Sequence, residues 1–348
     1  MKKILVLLVA LTSSVGFQSC NQDDDEDFPV SELVGTYVGA MNVQTPDFTN
    51  AQYSGLVKEQ LEEIEDSQIL LEPARRNTAP CVAYAAFRIK AINPDACMVV
   101  APSDHLILKD EEYTTLINQA LAEVEKKDAL ITLGITPTRP DTGYGYIQFE
   151  ETEGDKGVHK VKSFTEKPDL TMAKELVASG EFLWNAGIFI WSVKGILSAF
   201  ENLMPEMYQL FFEGENLFNT EKEDSFIKTA YAQCKSISID YGVMEKAKNV
   251  YTIAADIGWS DLGTWGSLYS YSDKDEDGHV IQGKNVLTYD SKNCIVNVPK
   301  NKLVVLQGME DMIVVESDDI LLVCRQEDEQ QIKRIVNDVK ATKGEKFV

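Results

Sequence analysis

The chain has 348 residues, of which 44% are hydrophobic and 26% charged, and its formal net charge is −23. That length and composition allow a large domain with a smaller one and exclude a disordered polymer. The charge repels polyanions, and no Lys/Arg cluster with interleaved aromatic residues offsets it, so nucleic acid is excluded as a partner. A small anion is not excluded, because a few local cations, backbone N–H groups and a divalent cation outweigh a screened global field.

In chain order, the first feature is a basic start, Lys2 and Lys3, followed by an apolar run over residues 4–17 and then Ser19 and Cys20. The run has signal-peptide length and is too short to span a bilayer. It resembles a bacterial lipoprotein signal over residues 1–19 with Cys20 as the lipidated residue; the alternative is a chance apolar leader. Residues 20–47, with the acidic run 23–27, read as a solvated tether and leader. The other cysteines, Cys81, Cys97, Cys234, Cys294 and Cys324, are widely spaced and sit mostly in apolar contexts. They show neither metal-ligand spacing nor a disulfide framework, and so read as buried thiols made for a reducing compartment.

From about residue 48 strands and helices alternate. Apolar runs predict strands at 68–71, 97–101, 129–133, 158–164 and 186–192, and helical periodicity predicts helices at 79–91, 111–126, 170–179 and 193–203. Such alternation implies an α/β fold with a mainly parallel sheet covered by helices, here over 48–275. From about 280 short strands follow one another (NVLTY, NCIVNV, KLVVLQ, DMIVVES, DILLVC), separated by turn signals and closed by the helical stretch EDEQQIKRIVNDVK. Residues 276–348 therefore read as a small all-β domain with a terminal helix, whose exposed edge would favour a homodimer.

In an open parallel sheet ligands sit beyond the carboxyl ends of the strands, so polar residues after an apolar run are the ones to inspect. Asp104 and His105 in VVAPSDH stand there, with helix capping as the bland alternative. Gly143 and Gly145 in TGYGY let backbone approach a ligand, or make a β-turn. Glu166 and Lys167 in FTEKP end a strand, or form a surface ion pair. Asn185 beside Gly187 in an apolar stretch needs partners, or is a turn asparagine. In GWSDLGTW (258–265) Asp261 stands between Trp259 and Trp265, which read as supports wedging the loop.

The ordered set EPARRNTAP (72–80), APSDH, TGYGYI, FTEKPD, WNAGIF, SIDYGVMEK (238–246) and GWSDLGTW resembles the mannose-1-phosphate guanylyltransferases from about residue 48 to the end. The resemblance implies a Rossmann-like nucleotidyltransferase that makes GDP-mannose and pyrophosphate from GTP and mannose 1-phosphate with Mg²⁺, in the cytoplasm; the signal-like leader implies the cell envelope instead. It implies Asp104 and Asp261 as the Mg²⁺ carboxylates and Lys167 as the cation at the sugar phosphate. Glu166, Asn185 and the Gly145 backbone match sugar contacts, while Glu72, Asn77 and Thr78 fall where the base is read. A carboxylate at Glu72 suits guanine, which presents two adjacent donors where uracil and thymine present one.

The family begins with a strand and a loop of the kind GGxGxR that cradles the triphosphate. No such sequence occurs here, and no Lys, Arg or His lies between Lys3 and Lys58. The chain thus reads as a lipoprotein leader joined to a body without its first βαβ portion, and guanylyl transfer by the chain as written is expected to fail. The alternative function is a catalytically dead, membrane-tethered sugar-binding or structural protein.

Overall fold

Nine strands form one mixed sheet: β1 (Ile4–Val9), β2 (Asp47–Asn50), β3 (Ile69–Glu72), β4 (Cys97–Pro102), β5 (Leu130–Ile135), β6 (Gly145–Phe149), β7 (His159–Glu166), β8 (Phe182–Ser192) and β9 (Val250–Ala254). Their order is β3-β2-β1-β4-β8-β5-β9-β7-β6. The structure, a computed structural model, describes residues 4–9, 47–50, 54–61, 65–150, 157–317, 320–344 and 346. β3, β2, β1 and β4 are parallel neighbours, as are β5 and β9, while β8 runs against both β4 and β5.

Ile4–Val9, read from sequence as part of a leader, is an interior strand paired in parallel with β4 from Ile4↔Cys97 to Val9↔Pro102, and with β2 at Leu8↔Asp47 and Val9↔Phe48. The strand position beside β4, expected to be missing, is filled. An unbroken Ile/Leu/Val run is the composition interior parallel strands carry, and locally it is indistinguishable from the apolar stretch of a leader. Cys20 and residues 33–43 lie outside the described residues.

Helices cover both faces. On one, Thr78–Ile92, Val193–Leu203, Pro205–Phe212 and Glu223–Gln233 enclose Phe87, Trp191, Phe200, Phe211 and Tyr231. On the other, Asp110–Val124 and Leu170–Ser179 pack over Ile131, Leu133, Tyr146 and Ile190. Local chemistry sets helix ends: Asp169 accepts from the Met172 N–H at 2.9 Å, Ser192 accepts from the Gly195 N–H at 3.0 Å, and Gly180 closes the helix after Ser179 with φ 71°. Of the five cysteines from Cys81 onward, four are buried.

The chain separates into two compact units, one ending at Trp259 and the other resuming at Ser260. In the second, β10 (Val280–Gln282), β12 (Ile295–Asn297) and β14 (Met312–Ser317) stack in parallel, Val280 beside Ile295 and Ile295 beside Ile313. β11 (Asn285–Tyr289) likewise pairs in parallel with β13 (Leu303–Gln307). The chain therefore winds as a coil around Cys294, Val296, Val298, Leu306 and Val314, and β15 (Ile320–Arg325) closes it antiparallel to β14 before the helix Ile332–Lys343. The opposite face of β12 and β14, Ile295, Ile313 and Val315, is covered by Trp265 and Tyr269 from the helix Trp265–Tyr271.

Candidate functional site

The carboxyl end of the sheet gathers the polar residues into linked groups. In the first, Gly145 opens β6 opposite Glu166, the last residue of β7, and Asn185 in β8 faces Gly134 of β5. Glu166 is 8% exposed and Asn185 8%. Glu166 Oε1 accepts from Lys167 Nζ at 2.7 Å, while its Oε2 is buried with no partner. That oxygen crowds the place where a Cβ at residue 145 would stand, so any larger residue there would have to displace the carboxylate. Lys167 adopts φ 48°, a left-handed conformation unusual for a lysine, and its N–H donates to the Tyr144 carbonyl at 3.2 Å.

Beneath this group lies Asp240, in the π-helical turn Asp240–Met244. Its Oδ1 accepts from Asn185 Nδ2 at 2.9 Å, and the neighbouring Glu245 Oε1 accepts from the Glu166 N–H at 3.0 Å. Burial, then the Asp240 charge, push the Glu166 carboxyl upward despite Lys167. Burial raises Asp240 as well, with Lys167 and the Asn185 amide opposing it. Burial alone would lower Lys167, but the Glu166 carboxylate outweighs it and carries the ammonium above its usual range.

The second group lies at the end of β3. Glu72 Oε1 accepts from the Tyr231 hydroxyl at 3.0 Å, and burial lifts the Glu72 carboxyl to about 7 although that hydrogen bond works against the shift. Asn77, at φ 67°, caps the helix Thr78–Ile92 by accepting from the Thr78 N–H at 2.9 Å. The Thr78 hydroxyl accepts from the Ile239 N–H at 2.7 Å. Asp240 follows Ile239 directly, so the segment 237–241 ties the two groups together.

Asp104 follows β4, its side chain 46% exposed, with Oδ1 4.0 Å from His105 Nε2. His105 Nδ1 accepts from Trp259 Nε1 at 3.0 Å, and burial lowers the ring to about 4. A neutral imidazole accepting at Nδ1 carries its proton on Nε2, which faces Asp104. His105 Cε1 lies 3.8 Å from where a Cβ on Gly187 would stand. Trp259, buried, also packs edge-on against Tyr144. Asp261 belongs to the second unit, where its Oδ1 accepts from the Gly263 N–H at 3.0 Å. Among the described residues no group of three or more His, Cys, Asp or Glu is placed to hold a metal ion, and no helix is long and apolar enough to cross a membrane.

Residues 36–278 match the family model of the nucleotidyl transferases. The chain belongs to that family. Residues 284–339 match the MannoseP isomerase/GMP-like beta-helix domain, in agreement with the parallel coil. This nucleotidyl transferase is 35% identical over 316 residues to the mannose-1-phosphate guanylyltransferase of Salmonella montevideo, covering 88% of this chain and 65% of that one. It is 34% identical over 298 residues to the alginate biosynthesis protein AlgA of Pseudomonas aeruginosa, covering 84% and 61%. The chain spans less than two thirds of the length of these curated relatives. Its fold matches a crystal structure titled as mannose-1-phosphate geranyltransferase from Thermus thermophilus, with TM-score 0.77, 23% identity and coverage of 98% and 100%.

Asp240 lies within SIDYGVMEK yet carries no role in the motif, and Thr132, Tyr231 and Glu245 likewise stand outside the residues that the sequence marks. The available signal at Asp240 was an acid set among Ile239, Val243 and Met244, a context that burial makes costly unless the acid is partnered.

Proposed function

We propose that the chain transfers a guanylyl group from GTP to mannose 1-phosphate, yielding GDP-mannose and pyrophosphate. The observation that carries this reading is the Glu166 carboxylate, whose Oε2 is buried without a partner against Gly145 and next to Lys167. An unmet buried acceptor costs about 1–3 kcal/mol, and a sugar hydroxyl supplies the missing donor. Lys167 then meets the phosphate on the same sugar, where its charge offsets the repulsion between two anionic reactants. The guanylyltransferase name of the Salmonella relative supports mannose 1-phosphate as that ligand. Glu72, with Asn77 and Thr78 shaping its surroundings, is the proposed reader of guanine.

Mg²⁺ takes one or two carboxylates plus phosphate oxygens, and a half-exposed carboxylate at a strand end, as at Asp104, fits that demand. Asp261, in its own unit, is proposed as a Mg²⁺ carboxylate from its motif alone. Bound there, the ion neutralises charge on the phosphates. His105, held neutral against Trp259, keeps a donor turned toward Asp104.

The test follows pyrophosphate release and GDP-mannose formation by the purified chain with GTP, mannose 1-phosphate and Mg²⁺. Both products are expected, against the failure expected from sequence, because β1 fills the strand position beside β4; the rate should lie below the usual enzyme range of about 1 to 10³ s⁻¹, because residues 4–57 contribute no cation to clamp the triphosphate. Preference for UTP or glucose 1-phosphate, or no sugar-phosphate binding, would overturn the reading. Lipid attachment at Cys20 belongs to the same set of proposals; processing there would remove β1, so the mass of the purified N-terminus decides between the two.

A further inference from the structure

We infer that Asp240 is a positioning residue of the sugar subsite: it holds the Asn185 amide in one orientation, so that Asn185 offers a ligand hydroxyl a donor while Glu166 offers it an acceptor. The inference rests on the sugar-phosphate reading above and adds to it the direction of each hydrogen bond.

Asn185 Oδ1 stands 3.2 Å from the Gly187 backbone nitrogen, which can only donate, and 2.8 Å from the Thr132 hydroxyl. The backbone N–H fixes which end of the amide is oxygen, and the Thr132 hydroxyl, whose one hydrogen also has the Ile188 carbonyl at 3.1 Å, lies beside that same oxygen. Asn185 Nδ2 must then face Asp240, to which it donates one hydrogen at 2.9 Å. Its second hydrogen is all that Asn185 can offer a ligand. Glu166 Oε2, unpartnered, can only accept from that ligand while ionised. A hydroxyl is the neutral group that accepts from one neighbour and donates to the other. A ligand carboxylate would be repelled by Glu166, and an ammonium could not accept from Asn185.

Asp240 is well placed to impose this order. Its turn is anchored by the Ile239 N–H to Thr78 and by the Gly242 N–H to the Ser238 carbonyl at 2.9 Å. The same turn reaches Glu166 from its backbone side through Glu245. The titratable groups facing Glu166 are Lys167 at its own strand end and Asp240, Tyr241 and Glu245 on the segment packed beneath. Removing the Asp240 charge therefore eases ionisation of Glu166, whereas removing its acceptor frees the Asn185 amide.

Two substitutions separate these roles. Asp240→Leu removes the acceptor, and KM for mannose 1-phosphate is expected to rise about tenfold or more while KM for GTP stays within about twofold. Asp240→Asn keeps an acceptor oxygen without charge; it should raise that KM less than Leu does and move the ¹³C-carboxylate titration of Glu166, assigned with Glu166→Gln, to lower pH. An unchanged sugar-phosphate KM in Asp240→Leu, equal rises for both substrates, or an unmoved Glu166 titration in Asp240→Asn would overturn the inference. Failure of the wild-type chain to bind mannose 1-phosphate would instead defeat the functional reading, and the Glu166 titration would still decide whether Asp240 acts on Glu166.

Discussion

The two polar groups at the carboxyl end of the sheet differ in what they leave for a ligand. Around Glu166 the protein supplies Lys167 to one carboxylate oxygen and nothing to the other. Around Glu72 the protein partners the groups it places: Tyr231 donates to Glu72, Asn77 caps a helix, and Thr78 accepts from Ile239. The first group is preorganised to accept something from outside. The second reads a ligand only with what its internal bonds leave over, so its contribution to specificity should be smaller.

Four substitutions probe that contrast, in falling order of effect. The largest concerns the chemistry that both groups serve. Asp104→Asn and Asp261→Asn each keep shape and lose charge, and each should lower kcat at saturating Mg²⁺ by orders of magnitude, on the order of a few kcal/mol of transition-state stabilisation. Near-normal turnover in either variant removes that residue from the ion's ligands.

The next tests the bare oxygen. Gly145→Ala places a methyl group against Glu166 Oε2, and overpacking of this kind costs about 1–3 kcal/mol. Thermal melts should fall, and KM for mannose 1-phosphate should rise more than KM for GTP. Equal changes for the two substrates would erase the distinction between the groups.

The smallest effect lies on the other side. Glu72→Gln should discriminate against GTP relative to ITP, which lacks the N2 amine, by about 1 kcal/mol; equal losses would place Glu72 elsewhere. The same variant has a pH signature. Burial raises the folded-state carboxyl from 4.5 to about 7, so Glu72 contributes stability fully below pH about 4.5, and the contribution is lost as pH rises through about 7. Glutamine never ionises, so the melting temperature of Glu72→Gln relative to wild type should climb between pH about 5 and pH about 8.

Much of this architecture is legible in the residues. Helices Leu170–Ser179 and Val193–Leu203 fall where periodicity places them, because Asp169, Gly180 and Ser192 mark their ends chemically. The C-terminal strands are legible as apolar runs between turn signals, but their parallel stacking is not, since pairing partners one coil apart leave no local trace. β1 escapes for a different reason: Ile4–Val9 carries no polar alternation to tell a strand from a leader. In the site, Glu166, Lys167 and Asn185 announce themselves by standing at strand ends or in apolar surroundings. Asp240 does not, because its role depends on Asn185, 55 residues away in sequence.

The reversed strand β15 has a further consequence for how the second unit can change length. Each parallel coil meets only its neighbours, so such a stack gains or loses sequence most easily by whole turns, with the terminal element kept in place. β15 runs antiparallel to β14 and so ends the winding, while remaining the edge strand of its sheet. Duplication of a full coil ahead of β14 is thus a tolerated event. Insertion of a single residue within a strand is not, because it would turn every later inward side chain to the opposite face.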